Sequence, residues 1–267
     1  MPDQLLSDRI PGQSVMVQAL MTHRLDPPRT FLGRLLGASP LGKDSGPWYQ
    51  GALGEISVAG RLATLGPGWT VLHSVPVGNG SSDIDHIIIG PGGVFTINTK
   101  NHASQPVWVA GRTFMVAGQK KRHIPNALYE AGRASQLLSR AVNGPVRVRP
   151  LIVVVNPKSL TIKETPSEAI VLTDAQLVRW LRSRPPVLGP DMLARLQMAA
   201  MQPRTWRQRP LDQEDALAVW KDFESLRLMV EQARKRRAIW ALAVPAAALV
   251  AVSSGFPGYI LQVLFQR

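Results

Sequence analysis

Residues 83–100 read DIDHIIIGPGGVFTINTK, and this stretch decides the fold. Its two β-rich runs, Asp83 to Ile89 and Val94 to Thr99, are separated by Gly90-Pro91-Gly92-Gly93. β-branched and aromatic residues favour strands, and a turn rich in Gly and Pro between two such runs predicts a hairpin. We therefore expect two adjacent antiparallel strands, with acidic residues at the start of the first and a lysine at the end of the second.

The segments on the N-terminal side extend this hairpin. Between Gln50 and Leu65, apolar residues recur at helical spacing, and Gly66-Pro67-Gly68 ends the pattern. Trp69 to Val75 is a further β-rich run. Together with the hairpin it predicts a three-stranded meander that follows a helix.

A second hairpin is predicted after the meander. Val107 to Val109 and Thr113 to Val116 are short β-rich runs, and Ala110-Gly111-Arg112 between them supplies the turn. We expect this hairpin to extend one edge of the same sheet.

The segments on the C-terminal side predict a crossover. Asn126 to Val142 is apolar at helical spacing, and the nearly continuous apolar run from Val148 to Val155 suits a strand of a parallel pair. Further helices are predicted at Asp174 to Arg182 and at Asp191 to Met201. The order helix, three strands, helix, strand predicts an α/β/α core with a mixed central sheet.

The composition favours a polyanionic partner. The chain of 267 residues has a formal net charge of +13 and a pI near 11.0, which favours nucleic acid first and anionic membrane second. The plainer interpretation of this charge is solubility. With no Cys, disulfides, thiolate metal sites and a Cys nucleophile are excluded, and any metal must have oxygen or imidazole ligands. No phosphate-binding loop, dinucleotide fingerprint or HExxH helix is present.

The sequence predicts four segments. Residues 1–47 form a mostly irregular arm with a short helix from Gln13 to Met21, residues 48–204 the main domain, and residues 205–237 a charged helical linker. The N-terminus does not look like a secretory signal, so we expect the domain in the cytoplasm.

Residues 238–265 are predicted to be a membrane anchor. No charge occurs in the 29 residues from Ala238 to Gln266, whereas roughly 20 are needed to cross a bilayer as a helix. The basic residues just before this run predict a single-pass C-terminal anchor with the main domain on the cytoplasmic side. Pro245 interrupts the run, and a shorter re-entrant or hydrophobic docking segment is the alternative.

Four residues have the chemistry needed to cut a phosphodiester. Asp85 lies near the start of the first strand of the hairpin. Near the end of the second strand, Asn98 and Lys100 are two residues apart, so their side chains share a face. Glu55 on the preceding helix completes the set. Carboxylate and amide oxygens suit Mg2+, and a nearby cation stabilises charge that develops on the phosphate. Taken singly, each of these residues has a plainer explanation as a turn, strand-end or surface residue.

Four blocks in this order resemble the nuclease-related domain (NERD) family: Gly54-Glu55, Asp83-Ile84-Asp85-His86, Gly90 to Phe95, and Asn98-Thr99-Lys100-Asn101-His102. The resemblance implies a restriction-endonuclease-like α/β/α core that hydrolyses nucleic acid with Mg2+ or Mn2+. It implies Asp85 as the metal-binding aspartate, Glu55 as the helix-borne acid and Lys100 as the catalytic lysine; Asn98 is a further candidate metal ligand through its amide oxygen. The parent pattern has an acidic residue at the position of Asn98. The amide in this chain lacks that negative charge, and this would lower the affinity of the site for a divalent cation.

Two further groups of residues are candidates near this site. Lys120, Lys121 and Arg122 precede the crossover helix, where a basic loop can grip backbone phosphates, although a solvated loop is equally compatible. Glu130 on the crossover helix lies on a stripe that approaches the site, and we consider it as a substitute carboxylate. His86 should point to the opposite face from Asp85, which favours a structural role.

The first functional hypothesis is therefore a membrane-tethered, metal-dependent nuclease that acts on DNA rather than RNA. The second is a weak or inactive relative that binds nucleic acid or a protein partner, and the amide at position 98 keeps this alternative open. A third is a domain whose basic tail binds only anionic lipid. A homodimer also remains open, because many nucleases of this fold cut both strands as dimers.

Overall fold

The computed structural model describes residues 6–78, 82–207 and 215–253. Within these residues it contains nine strands: β1 Thr70–Pro76, β2 Asp83–Gly90, β3 Gly93–Asn101, β4 Pro106–Ala110, β5 Thr113–Val116, β6 Gln119–Lys121, β7 Val148–Val155, β8 Ser159–Glu164 and β9 Ile170–Thr173. The α-helices are α1 Gln13–His23, α2 Phe31–Leu35, α3 Ser45–Leu62, α4 His123–Val142, α5 Asp174–Arg182, α6 Pro190–Met201, α7 Pro203–Trp206 and α8 Ala216–Ser253, and a 3-10 turn spans Leu6–Asp8.

The central sheet has five strands in the order β1-β2-β3-β7-β9. The strands β1, β2 and β3 form an antiparallel meander. After the crossover helix α4, β7 pairs with β3 in parallel, from Val94 opposite Val148 to Asn101 opposite Val155. The predicted meander, crossover helix and mixed sheet are confirmed.

Helices cover both faces of this sheet, because the alternating apolar residues of β2, β3 and β7 require a partner on each side. One core joins the helices α3 and α5 to the sheet through Val58, Leu62, Leu177 and Leu181, packed on Ile88, Phe95, Ile97, Leu151 and Val153. On the other face, α4 and α6 pack through residues such as Ala131, Leu138 and Leu196 on Ile87, Ile89 and Val94. The result is a three-layer α/β/α arrangement.

The second hairpin does not extend the central sheet, and our expectation for it is wrong. The strands β4 and β5 belong to a separate four-stranded sheet with the order β6-β5-β4-β8. The strand β8 pairs with β4 in parallel, and the edges of the central sheet are β1 and β9 instead. Apolar residues of this second sheet, among them Val109 and Phe114, share a core with Ile152 and Val154 of β7.

The predicted single-pass membrane anchor is also wrong. Within residues 6–78, 82–207 and 215–253, no helix is both long enough and apolar enough to cross a membrane. The charge-free part of α8 runs for 16 residues, from Ala238 to its end at Ser253, with Pro245 inside it. At ~1.5 Å per residue this is about 24 Å, which is short of the ~30 Å hydrocarbon core. The predicted residues 254–265 lie outside the described part of the chain.

The chain divides into two compact units. The first comprises residues 1–19 and 47–220 and holds both sheets; the second comprises residues 20–46 and 221–267. Within the described residues of the second unit, α8 contacts the helix α2. Trp240 donates its indole N–H to the carbonyl of Leu35 at 3.0 Å, and Arg236 donates to the carbonyl of Arg34, also at 3.0 Å.

A buried histidine pair joins β1 and β2. His73 lies opposite His86, and their Nδ1 atoms are 2.8 Å apart. Burial lowers the pKa of His73 to about 4, and burial followed by the charge of His73 lowers the pKa of His86 well below its usual value. Both rings are therefore neutral in the native state, which agrees with the predicted structural role of His86.

We expect this pair to make the protein sensitive to acid. The pKa of His73 is lower in the folded protein than in the unfolded protein. The contribution of the neutral ring to the free energy of unfolding is therefore complete above about pH 6.5. It is lost as the pH falls toward about 4, by roughly 3 kcal/mol for His73. The free energy of unfolding, measured by denaturant titration from pH 7.5 to 4.5, should fall more steeply for the wild type than for His73→Gln. Equal slopes for the two proteins would contradict this assignment.

Candidate active site

The ends of β2 and β3 bring three of the predicted site residues together. The register of the two strands places His86 opposite Ile97, so the next pair outward is Asp85 opposite Asn98. Side chains two apart on a strand share a face, and Lys100 therefore follows Asn98 on the same side of the sheet. Asp85, Asn98 and Lys100 converge on the face that is covered by α4.

The carboxylate of Asp85 is held by the backbone of the neighbouring strand. Its Oδ2 atom accepts a hydrogen bond from the N–H of Thr99 at 2.6 Å. Burial raises the pKa of Asp85, and the positive charge of Lys100 opposes this rise. Lys100 is partly exposed, so solvent and ligands can reach its ammonium group. The same ammonium group acts on the buried carboxylate of Asp85.

The fourth predicted residue, Glu55, reaches the same group from the helix α3. Its side chain is buried, and a backbone hydrogen bond from Gly12 helps to hold it. The preceding residue explains how α3 comes so close to β3. A Cβ atom at Gly54 would lie 3.0 Å from the Cβ of Asn101, so only glycine permits this approach without displacement.

Glu55 is in electrostatic contact with the other members of the site. Burial raises the pKa of Glu55 well above its usual value, and the negative charges of Asp85 and Asp83 add to the rise. The charge of Lys100 opposes it. The structure therefore brings together Glu55, Asp85, Asn98 and Lys100, the four residues that were selected from the sequence.

Asp83 also belongs to this group, although we considered it only as a turn or strand-end residue. Burial raises the pKa of Asp83 to about 6, and the charge of Asp85 adds to that effect. A hydrogen bond from Ser14 and the charge of Arg9 oppose the rise. Arg9 also donates to the hydroxyl of Ser14 at 3.1 Å, so the N-terminal segment forms one side of the site.

A further carboxyl group enters from the crossover helix. Asn98 donates its Nδ2 N–H to the Oε1 atom of Glu130 at 2.7 Å. Burial raises the pKa of Glu130 to about 7, and the charge of Asp85 contributes to the rise. In the sequence, only the amphipathic pattern of α4 indicated this residue. Glu130 lies one turn after the buried Ala127, on the flank of the helix that faces the sheet.

The donor atoms of this site suit a hard divalent cation. Within the described residues, four buried oxygens of the group have no hydrogen-bond partner, and these are Glu55 Oε2, Asp83 Oδ2, Asn98 Oδ1 and Glu130 Oε2. Buried oxygens without partners and mutually repelling carboxylates are both stabilised by a cation. In the described part of the chain, however, no three Asp, Glu or His side chains stand in a metal-binding arrangement. The group thus has the right chemistry without a preformed cage.

Several carboxyl groups lie close together in this site, so we expect the site to lower the stability of the metal-free protein. The folded pKa of Glu130 is above its unfolded value, so its contribution to stability is complete below about pH 4.5. It is lost as the pH rises through about 7. At pH 8 in EDTA, we expect Glu130→Gln to raise the free energy of unfolding by on the order of 1–3 kcal/mol. Urea titration measures the difference, and a less stable variant would contradict the assignment.

The predicted nucleic-acid-binding residues lie next to the start of α4. Lys120 and Arg122 are exposed, whereas Lys121 is partly buried and donates to the side chain of Gln119 at 3.0 Å. The charge of Lys121, like that of Lys100, lowers the pKa of His123, for which burial is the largest cause. The basic segment therefore borders the site at Lys121.

Two histidines that we did not predict as site residues, His102 and His123, lie near both Lys100 and Lys121. The Nε2 atoms of His102 and His123 are 3.1 Å apart, and their rings are stacked with centroids 5.3 Å apart. Burial lowers the pKa of His102, and it lowers that of His123 to about 3. Both rings are neutral near pH 7, so they add polar atoms to this border without adding charge.

Comparison with known proteins agrees with the geometry of the first unit. The family model described as nuclease-related domain matches residues 50–155, which include every site residue from Glu55 to Glu130. A restriction-endonuclease-like fold is consistent with this match and with the mixed sheet. No curated protein and no solved structure matches the chain. Residues 50–155 of this chain match the model of the NERD family, and this match indicates a nuclease-related function.

Proposed function

We propose that this protein hydrolyses phosphodiester bonds of nucleic acid, with DNA the preferred substrate, at the site formed by Glu55, Asp85, Asn98 and Lys100. The observation that carries the proposal is the convergence of a partly exposed lysine with desolvated carboxylates at the ends of β2 and β3. Buried carboxyls with a perturbed pKa beside a specific cation are a feature of many catalytic sites. The family match supports the same class of reaction.

The proposed cofactor is Mg2+ or Mn2+, held by Glu55, Asp85 and Asn98. When bound, such an ion lowers the pKa of water and neutralises charge on the phosphate. Glu55 and Asp85 provide the anionic ligands, and the N–H of Thr99 fixes the direction of the Asp85 carboxylate. The Nζ of Lys100 stabilises negative charge on a phosphate oxygen, because its flexible side chain extends from the same face.

Substrate binding is proposed to use the basic segment from Lys120 to Arg122. Exposed Lys120 and Arg122 contact backbone phosphates without reading bases, which agrees with a formal net charge of +13 for the whole chain. We expect the affinity for DNA to fall steeply with salt concentration.

A second candidate function is nucleic-acid or protein binding without cleavage. Asn98 favours it, because an amide offers an oxygen ligand but no negative charge, and because its Nδ2 is already engaged with Glu130. The absence of a preformed metal-binding group within the described residues favours it as well.

The test is cleavage of supercoiled plasmid and of single-stranded DNA by the full-length protein with Mg2+ or Mn2+. Asp85→Asn serves as the inactive control, because it keeps the shape of the side chain and removes its charge. Cleavage that requires the metal and disappears in Asp85→Asn is the expected result. DNA binding without cleavage under either metal would favour the second candidate.

A further inference from the structure

The hydrogen bond between Asn98 and Glu130 determines which way the amide faces. Asn98 donates its Nδ2 N–H to the Oε1 atom of Glu130 at 2.7 Å, so the nitrogen side of the amide faces Glu130. The amide oxygen takes no part in this hydrogen bond. Within the described residues this Oδ1 atom is buried and has no hydrogen-bond partner. The bond leaves one oxygen of each side chain free, Asn98 Oδ1 and Glu130 Oε2.

The position of Glu130 follows from the shape of α4. The buried face of this helix carries the small residues Ala127, Ala131 and Ala134, so its backbone lies close to the sheet. Glu130 lies between two of these alanines on the flank of that face and is only partly exposed. A long acidic side chain there reaches the end of β3 and not the solvent.

A purely structural role does not account for a carboxylate at this position. In the described residues Glu130 has no ion pair; the charges of Asp85 and Asp83 repel its carboxylate, and the charge of Lys100 offsets only part of the rise in its pKa. A glutamine would keep an acceptor for Asn98 Nδ2 without this repulsion. An acidic group that costs stability at such a site points to a functional use of its charge.

We propose that Glu130 supplies a third carboxylate ligand of the catalytic divalent cation, beside Glu55 and Asp85, in the place of the acidic residue that position 98 of β3 lacks. The Oε2 atom of Glu130 would bind the ion, and the hydrogen bond to Oε1 would orient the amide of Asn98 so that its Oδ1 faces the same ion. This inference rests on the proposed function. It explains how a chain with an amide at position 98 keeps the anionic charge that a divalent cation needs.

The test is a reciprocal exchange of the two side chains. Four full-length proteins are compared, namely the wild type, Glu130→Gln, Asn98→Glu and the double variant Asn98→Glu/Glu130→Gln. Binding of Mn2+ is measured by the loss of the electron paramagnetic resonance signal of the free ion, and DNA cleavage is measured in parallel. Glu164→Gln is the matched control, because Glu164 lies exposed on β8 in the second sheet.

We expect Glu130→Gln to weaken Mn2+ binding by about 10-fold or more and to lose most of its cleavage. The double variant should bind Mn2+ within about 3-fold of the wild type and recover cleavage, because the carboxylate has moved from α4 to β3. Thermal melting in EDTA separates a loss of ligand from a loss of fold, since Glu130→Gln should be at least as stable as the wild type.

The outcomes distinguish this inference from the function on which it rests. If the wild type binds Mn2+ and cuts DNA while Glu130→Gln does the same, the inference is wrong and the nuclease remains. If Glu130→Gln fails and the double variant fails equally despite a normal melting curve, relocation of the carboxylate is wrong. If the wild type neither binds Mn2+ nor cuts DNA, both proposals are overturned.

Discussion

Lys100→Met should reduce the rate of DNA cleavage by about 100- to 1,000-fold while Mn2+ binding persists. The physical reason is that an ammonium group aimed at developing phosphate charge contributes mainly to the transition state, and removal of one such group has effects of this size. The carboxylates stay in place, because the backbone of Thr99 and not Lys100 holds Asp85 through a hydrogen bond. Single-turnover cleavage at saturating metal measures the effect.

Lys163→Met is the matched control for this substitution. Lys163 lies exposed on β8 of the second sheet and is not part of the site, so its loss should leave cleavage close to the wild-type rate. If Lys163→Met lost as much cleavage as Lys100→Met, the charge of Lys100 would contribute only to the general electrostatic attraction of DNA. Full activity in Lys100→Met would remove the residue from the mechanism.

Phe95→Ala should destabilise the first unit by about 3–5 kcal/mol, because removal of a buried aromatic ring leaves a cavity that the surroundings fill only in part. Phe95 is fully buried on β3, and its ring meets the edge of Trp180 with centroids 5.7 Å apart. Since β3 also carries Asn98 and Lys100, loss of this packing should reduce cleavage as well. Urea unfolding followed by far-ultraviolet circular dichroism measures the change.

The exposed Phe31 provides the comparison for Phe95. Its side chain is 79% exposed on the helix α2, so Phe31→Ala should change the free energy of unfolding by no more than about 0.5 kcal/mol. A similar loss in both variants would mean that the packing of Phe95 is not what stabilises the sheet.

The central sheet could be predicted because its strands follow the simplest rules. Each run of β2, β3 and β7 is apolar and bounded by turn residues, and the intervening helix α4 requires a parallel crossover. The partner of the second hairpin could not be predicted in this way. The strand β8 is mostly exposed, and its alternation consists of only two apolar residues, Leu160 and Ile162, which is too short to mark it as a strand.

The site was predictable where chemistry and strand position coincide, as at Asp85, Asn98 and Lys100. The contributions from Gly12, Ser14 and Asp83 were not, because they depend on where the N-terminal segment meets the sheet. Neither local pattern nor composition specifies such a long-range contact. The stripe on α4 suggested Glu130, but only the fold gives the 2.7 Å distance that relates it to Asn98.

The membrane anchor was predicted wrongly because an uncharged run is not the same as an uninterrupted apolar helix. The count along the sequence continued to Gln266, whereas the described helix α8 ends at Ser253. Within the described residues, the charge-free part of α8 contains Pro245 and is too short to cross a membrane.

The bond between Asn98 and Glu130 has a consequence for recombination between related genes. The two residues are encoded 32 codons apart, so a crossover between them separates an amide from the acid to which it is matched. A hybrid that takes an acidic residue at position 98 from another gene and keeps Glu130 would force two like charges together, and the reciprocal hybrid would hold neither. If Glu130 has the role that we propose, an exchange of segments that preserves the site carries β3 and α4 together, even though the two elements are separate in the chain.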